Sequence, residues 1–336
     1  MAKPRTVDIH NHILTTDAMA RLARLSPKVA PLLKGMGEEA AEIMEIDGRV
    51  MQVVVPRGIW DVERRLRDMD RHGVDVQVLT HTTQTFYYEE EPALAAECAA
   101  VQNEDIAGVV KRHPDRFVGF AALPMQAPDL AAAELRRVVR TYGMRGAHLA
   151  SNIAGRNLDD PALEPVWEAA VENDFVFFVH PNNYATRAER MGRYYLANFV
   201  GLPFETTLAA ASLVFGGVLE RYPNLKFVLA HGGGYVPYQR GRFIHGWEVR
   251  PEPKVNLKES PEASLSRLYF DTITHSPAAL RFLVETAGAD HVLLGSDYPF
   301  DMGNFDCVAK VKAAGLPVDQ EASILGSRAA ALLGLK

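Results

Sequence analysis

The chain has 336 residues, 48% of them hydrophobic, which suits two ordinary domains or one large α/β barrel of the kind that takes about 250 residues or more. A net charge of −6 and a pI near 6.0 leave no basic surface for nucleic acid or an anionic membrane. Two cysteines, Cys98 and Cys307, make no disulfide framework, and neither a signal-peptide core nor an apolar run near the roughly 20 residues of a bilayer span stands out, so a cytoplasmic setting is expected.

Along the chain, eight short apolar runs read as strands, at 7–10, 74–80, 117–123, 146–150, 175–180, 227–231, 268–273 and 292–295. Their near-continuous apolar character suits parallel strands buried on both faces. Between them, 61–72, 92–112, 129–142, 161–173, 205–221 and 277–287 carry helical periodicity. Asp160-Pro161 and Ser276-Pro277 are cap-then-proline helix starts. The alternation predicts an α/β fold, a (β/α)8 TIM barrel forming one domain over 1–336.

Segment 13–60 breaks the pattern, because it is much longer than a strand-to-helix loop requires. Within it, 42–46 and 49–55 flank Asp47-Gly48, the signature of a β-hairpin with a two-residue turn. Placed after the first strand, this insertion would form a lid or substrate wall over the barrel rim; a merely decorative insertion is the plainer alternative. A second long rim loop, with Pro251, Pro253 and Pro261, is expected between strands 6 and 7.

Four strand ends carry chemistry: Val7-Asp8-Ile9-His10-Asn11-His12, Phe177-Phe178-Val179-His180, Val228-Leu229-Ala230-His231 and Leu293-Leu294-Gly295-Ser296-Asp297. In a closed parallel barrel all of these ends meet at one rim. His10 and His12 are two residues apart on a strand and share a face. Joined by His180 and Asp297, they make a nitrogen-and-oxygen ligand set suited to Zn²⁺, with Mn²⁺, Fe²⁺ or Co²⁺ as substitutes. Any one of these histidines alone would be read as a packed core residue; the four together point to a metal.

His231 opens into Gly232-Gly233-Gly234, where backbone can approach a ligand closely. An imidazole there suits general acid–base work beside the ion, or else serves as a fifth ligand. No lysine ends the fourth strand to bridge two ions, so a single ion per chain is expected. His148 either faces the interior or packs in the core. Asp271 either orients a ligand histidine or caps a helix. His72, His113 and His291 lie away from the rim and are expected in solvent.

The chain resembles a known family in His10-Asn11-His12-Ile13-Leu14, Arg116-Phe117-Val118-Gly119, the run from Leu123 to Pro128, His180-Pro181, His231-Gly232-Gly233-Gly234, Gly241-Arg242 and Gly295-Ser296-Asp297-Tyr298-Pro299-Phe300. That family is the amidohydrolase-related metal-dependent decarboxylases, and the likeness runs nearly end to end. The resemblance implies Zn²⁺ held by His10, His12, His180 and Asp297 with a water, a catalytic His231, and a homodimer in which Arg242 enters the partner's pocket to hold a substrate carboxylate. At the hairpin position where such a decarboxylase carries a second carboxylate-binding arginine, this chain has Gln52, and Asn182-Asn183 stand where a bulkier aromatic is found. A neutral amide does not reproduce bidentate arginine recognition. The reaction class therefore carries over better than the substrate, and Gln52, Asn182 and Arg242 are the expected substrate-binding residues.

The expected function is non-oxidative decarboxylation of an unsaturated or aromatic carboxylic acid, with His231 and Asp297 handling protons. Hydrolysis of a lactone or amide, or hydration, would use the same centre. A non-catalytic barrel kept for binding or assembly would not need an intact ligand set.

Overall fold

The computed structural model describes residues 5–30, 33–34, 39–46, 49–182 and 188–335, with the backbone alone for 33–34, 39–46 and 49–56. After strand β1 (Val7–Ile13), the chain forms a separate antiparallel sheet of β2 (Leu33–Lys34), β3 (Glu39–Ile46) and β4 (Arg49–Pro56). Ile46 pairs with Arg49 there, the register a two-residue connection requires, although Asp47 and Gly48 themselves lie outside the described residues. The barrel continues through β5 (Val76–His81), β6 (Phe117–Gly119), β7 (Gly146–Ala150), β8 (Val176–His180), β9 (Lys226–Leu229), β10 (Tyr269–Asp271) and β11 (Val292–Leu293).

All pairings among the barrel strands are parallel, in the orders β1-β5-β6 and β7-β8-β9-β10-β11. Two seams close the ring. Ala121 N–H donates to Gly146 O (2.8 Å) and His148 N–H to Ala121 O (2.9 Å), joining β6 to β7; Ile9 N–H donates to Leu294 O (2.8 Å), joining β11 to β1. The eight expected strands are the eight observed.

Along β8, Val176 and Phe178 enter one buried cluster with Ile9, Val78 and Val228, closed by the helix Arg328–Leu333. Phe177 and Val179 point the other way, to Trp167, Leu213 and Phe227 beneath the outer helices. Strand alternation thus divides the core into barrel interior and helix layer. Each fully buried phenylalanine contributes roughly 1.5–3 kcal/mol. A register shift between Asp8 and Asn11 interrupts β1. It lets Ile9 remain in the interior cluster while the ring of His10, one residue on, also turns inward to lie 4.6 Å from Phe178.

The cap-then-proline starts form as read: Asp160 accepts from Ala162 N–H and Ser276 from Ala279 N–H. Two expectations need correction. The connection from β9 to β10 is not a loop throughout, since it contains the helix Val236–Val249, entered through Pro237. One stretch, Ala197–Phe215, is long and apolar enough to cross a membrane by length and composition, which the sequence reading had not noticed. Its Ala209, Ala210 and Leu213 are packed into the helix layer of the barrel.

Candidate metal centre

The C-terminal ends of the strands bring together His10 and His12 from β1, His180 from the end of β8 and Asp297 from the turn after β11. One ligand atom from each lies within 4.8 Å of the others, and all four residues are buried. His10 Nε2 and His12 Nε2 stand 3.3 and 3.2 Å from Asp297 Oδ1. None of these three buried atoms has a hydrogen-bond partner. Such atoms are costly to leave bare, and lone pairs converging on one point fit a cation.

The opposite edge of each ring is spoken for. His10 Nδ1 donates to Asp271 Oδ2 at 2.6 Å, His12 Nδ1 to the carbonyl of His81 at 3.1 Å, and His180 Nδ1 to the carbonyl of Pro181 at 2.8 Å. These partners assign the Nδ1–H tautomer to all three rings and leave every Nε2 as a lone pair. Burial disfavours charge on His12 and His180 and holds both below the usual imidazole range. Burial also opposes charge on His10, but the carboxylates of Asp297 and Asp271 outweigh it and raise that ring to about 10, so without a cation its Nε2 holds a proton that a metal ion would displace. Asp297 is pushed up by burial and pulled further down by the facing histidines, ending well below the usual carboxylate range.

Asp271 resolves the sequence alternative in favour of orientation. It is fully buried and also gathers the N–H groups of His231 (2.9 Å), Gly232 (2.7 Å) and Ile273 (3.0 Å). One carboxylate therefore sets both a ligand ring and the turn carrying His231. That turn runs left-handed from His231 (φ 55°) through the glycines. A Cβ on Gly234 would sit 2.2 Å from Pro203 O, so the glycines serve close backbone packing as well as access, since Gly232 and Gly234 also line the cavity.

His231 Nε2 lies 3.5 Å from Asp297 Oδ2, the oxygen other than the one facing His10 and His12. It stands beside the ligand group rather than in it. His148 is buried with its ring stacked on Phe178 (5.8 Å) and 4.6 Å from the ring of His81, and neither of its nitrogens has a partner. It faces the interior next to the ligands without joining them.

Two contributors escaped the sequence reading. Arg65, on the helix Val62–His72, is fully buried; it donates to Asn11 Oδ1 and Gln77 Oε1 (3.0 Å each) and to the carbonyl of His12, and its guanidinium lies over the Tyr298 ring at 4.8 Å. Gln77 in turn donates to Asp8, whose oxygens receive Ser296 N–H (3.0 Å) and Ser296 Oγ (2.6 Å). This chain of bonds ties β1 to the turn bearing Asp297. An arginine among Arg64, Arg65 and Arg67 gives no sign that one of them is buried. His81, by contrast, ends a strand as His180 does, and that signal was available.

A cavity of about 1030 Å³ opens over the centre, lined by His180, His231 and Asp297 and walled by Tyr195, Phe199 and Phe300. That size accommodates a small organic ligand. Asn182 lines it too, with its Oδ1 accepting from Ser151 Oγ (3.1 Å) and from Asn152 Nδ2. Gln52 pairs with Ile43 in the β3–β4 ladder, and its side chain lies outside the described residues. Arg242 is exposed on Val236–Val249 and does not line its own chain's cavity.

A closed parallel barrel with His-x-His on its first strand, a histidine ending the fifth and an aspartate after the eighth defines the centre of a metal-dependent enzyme. The chain belongs to the amidohydrolase family, whose model matches residues 7–335. It is 35% identical over 344 residues to 2-amino-3-carboxymuconate-6-semialdehyde decarboxylase of Dictyostelium discoideum, covering 98% of this chain and 91% of that one. It is 31% identical over 254 residues to gamma-resorcylate decarboxylase of a Polaromonas strain, covering 71% and 77%. A dihydroxybenzoic acid decarboxylase from Polaromonas, solved with bound manganese and the inhibitor 2-nitroresorcinol, superposes with a TM-score of 0.81 at 25% identity over 99% of this chain and 97% of that one.

Proposed function

We propose that this protein is a metal-dependent carboxy-lyase that decarboxylates an unsaturated or aromatic carboxylic acid without oxidation. The observation that carries the reading is the convergence of His10, His12, His180 and Asp297 beneath a cavity with aromatic walls, in a chain whose relatives are named decarboxylases. Three nitrogens and one carboxylate suit Zn²⁺, and Mn²⁺, Fe²⁺ or Co²⁺ fit the same donors. When bound, the ion supplies Lewis acidity at a substrate oxygen.

The chain's own residues do the rest. Tyr195, Phe199 and Phe300 take the flat carbon frame and exclude water. As the bond to the carboxyl carbon breaks and CO₂ leaves, its electron pair stays on the substrate carbon, which takes a proton from His231 Nε2. The Oδ2 of Asp297, 3.5 Å from that nitrogen, orients the imidazole for delivery. Asn182, Gln52 and, across a homodimer interface, Arg242 would hold the polar groups of the substrate, with segment 13–60 as the lid of a single cytoplasmic domain.

Hydrolysis of a lactone or amide, or hydration, would draw on the same residues, and the named relatives favour the lyase. Metal-loaded protein is expected to release one CO₂ per substrate consumed from at least one of a panel of hydroxybenzoates, aminobenzoates and carboxymuconates. Solvent ¹⁸O in the product without CO₂ would instead make it a hydrolase or hydratase.

A further inference from the structure

Among the described residues, eight other than glycine adopt positive φ, and five of them, Tyr194, Tyr195, His231, His275 and Asp297, line the cavity over the metal centre. Backbone in this region is costly for residues with a Cβ and persists where surrounding structure or function requires it. His231 and Asp297 already have roles. Tyr194 (φ 56°) and Tyr195 (φ 59°) form the middle of a turn closed by Leu196 N–H donating to Arg193 O at 3.1 Å. These are the φ signs of a type I′ turn, which normally takes glycine or asparagine at both positions rather than two tyrosines.

The turn is also held from behind. It runs directly into a π-helical stretch, Ala197–Gly201, a form that is rare and concentrated at functional sites. The Tyr195 ring meets Phe199 edge-on at 5.3 Å, and Tyr235 Oη donates to Val200 O at 3.0 Å. Burial raises the Tyr195 phenol, and the carboxylates of Asp301 and Asp297, which line the same cavity, raise it further.

At the first position of this turn stands Arg193. Among the described residues lining the cavity it is the one with a permanent positive charge. Glu189 and Asp301 line the same cavity, yet Arg193 forms no ion pair among the described residues. Arg193 is exposed while lining the cavity, so its hydrogen-bonding capacity is open to a ligand that enters there.

We infer that Arg193 selects a substrate bearing a second anionic group, a carboxylate or phenolate remote from the carboxyl that is lost, while Tyr195 and Phe199 stack on its carbon frame. This inference rests on the decarboxylase reading for the identity of the lost carboxyl. Binding of two unreactive acids tests it independently of turnover. Calorimetry on metal-loaded protein is expected to show isophthalate binding more tightly than benzoate. Arg193→Met should weaken isophthalate roughly 10- to 100-fold more than benzoate, as expected for loss of a charge-assisted hydrogen-bond pair. Arg193→Lys should recover part of the preference, because the charge is kept and the planar fork is not. Metal content and melting temperature, measured on both variants, exclude a general defect. No preference in the wild-type protein, an equal loss of both acids in Arg193→Met, or a preference that survives the substitution would each overturn the assignment. A wild-type CO₂ assay run alongside separates the two claims: no CO₂ from any acid ends the decarboxylase reading and leaves the binding comparison standing.

Discussion

Replacing Asp271 with asparagine changes almost nothing in shape and a great deal in hydrogen bonding. Its Oδ2 accepts from His10 Nδ1 and His231 N–H, and its Oδ1 from Gly232 N–H and Ile273 N–H. An amide has one oxygen, so whichever way it turns, its NH₂ faces two donors and two of the four bonds are lost. Hydrogen bonds to a charged acceptor are worth about 1.5–3 kcal/mol each, which makes the loss on the order of 3–6 kcal/mol in the metal-free protein. That is a large share of a typical stability of about 5–15 kcal/mol. His10 also loses the acceptor that fixes its tautomer, which should weaken metal binding about 10- to 100-fold, equivalent to roughly 1.4–2.7 kcal/mol. Urea unfolding of stripped protein reads the first quantity and competition with a chromogenic chelator the second. An Asp271→Asn variant with wild-type urea midpoint and metal affinity within threefold would show that this carboxylate organises neither the ring nor the turn.

His231→Asn should lower CO₂ release by about 10²- to 10⁴-fold while leaving metal content at one ion per chain; metal lost in parallel with activity would make His231 a fifth ligand instead. Arg65→Met should cost roughly 3–5 kcal/mol, because Asn11, Gln77 and the His12 carbonyl lose their shared donor and Asp8 its nearby charge, and denaturant titration checks this against an exposed control such as Arg67→Met. Acid should destabilise the metal-free protein. Burial holds His12, His81, His148 and His180 below the usual imidazole range, His81 at about 3, so as pH falls through about 6.5 the unfolded chain takes up protons at these rings before the folded one does. Asp8, pushed up to about 6 by burial, and His10, raised to about 10 by Asp297 and Asp271, each act in the opposite direction with one proton, and the two do not cancel four. Urea midpoints at pH 7, 6 and 5 should fall with a slope steeper than about 1.4 kcal/mol per pH unit, and a flat or rising profile would contradict the neutral buried rings.

The eight strands and the ligand set were legible because both follow from short-range pattern: apolar runs mark strands buried on two faces, and a parallel barrel sends every strand end to one rim. What the sequence hid was long-range or conformational. Arg65 sits in a helix whose polarity marks a surface, and only the meeting of that helix with β1 and the Tyr298 turn buries it. The strained turn at Tyr194 and Tyr195 carries none of the glycine or asparagine that usually announces positive φ. The helix Val236–Val249 went unread because its apolar periodicity is weak, with Val236 its one buried residue, although Pro237 in its first turn is a helix-start signal. Arg242 is exposed on that helix and stands outside the lining of its own chain's cavity, a placement that a single-chain sequence pattern does not reveal.

The turn that presents Asp297 is also the clasp of the ring: Asp297 N–H donates to His10 O at 2.7 Å and Ser296 N–H to the same carbonyl at 3.2 Å. First and last strands are thus stapled by the very residues that would grip the cation. No partial assembly of this polypeptide has a coordination shell, since half of it arrives with residue 10 and the remainder only once residues 180 and 297 have docked. A four-residue grip on a cation therefore requires the barrel to have closed, and an ion held by all four would report that closure.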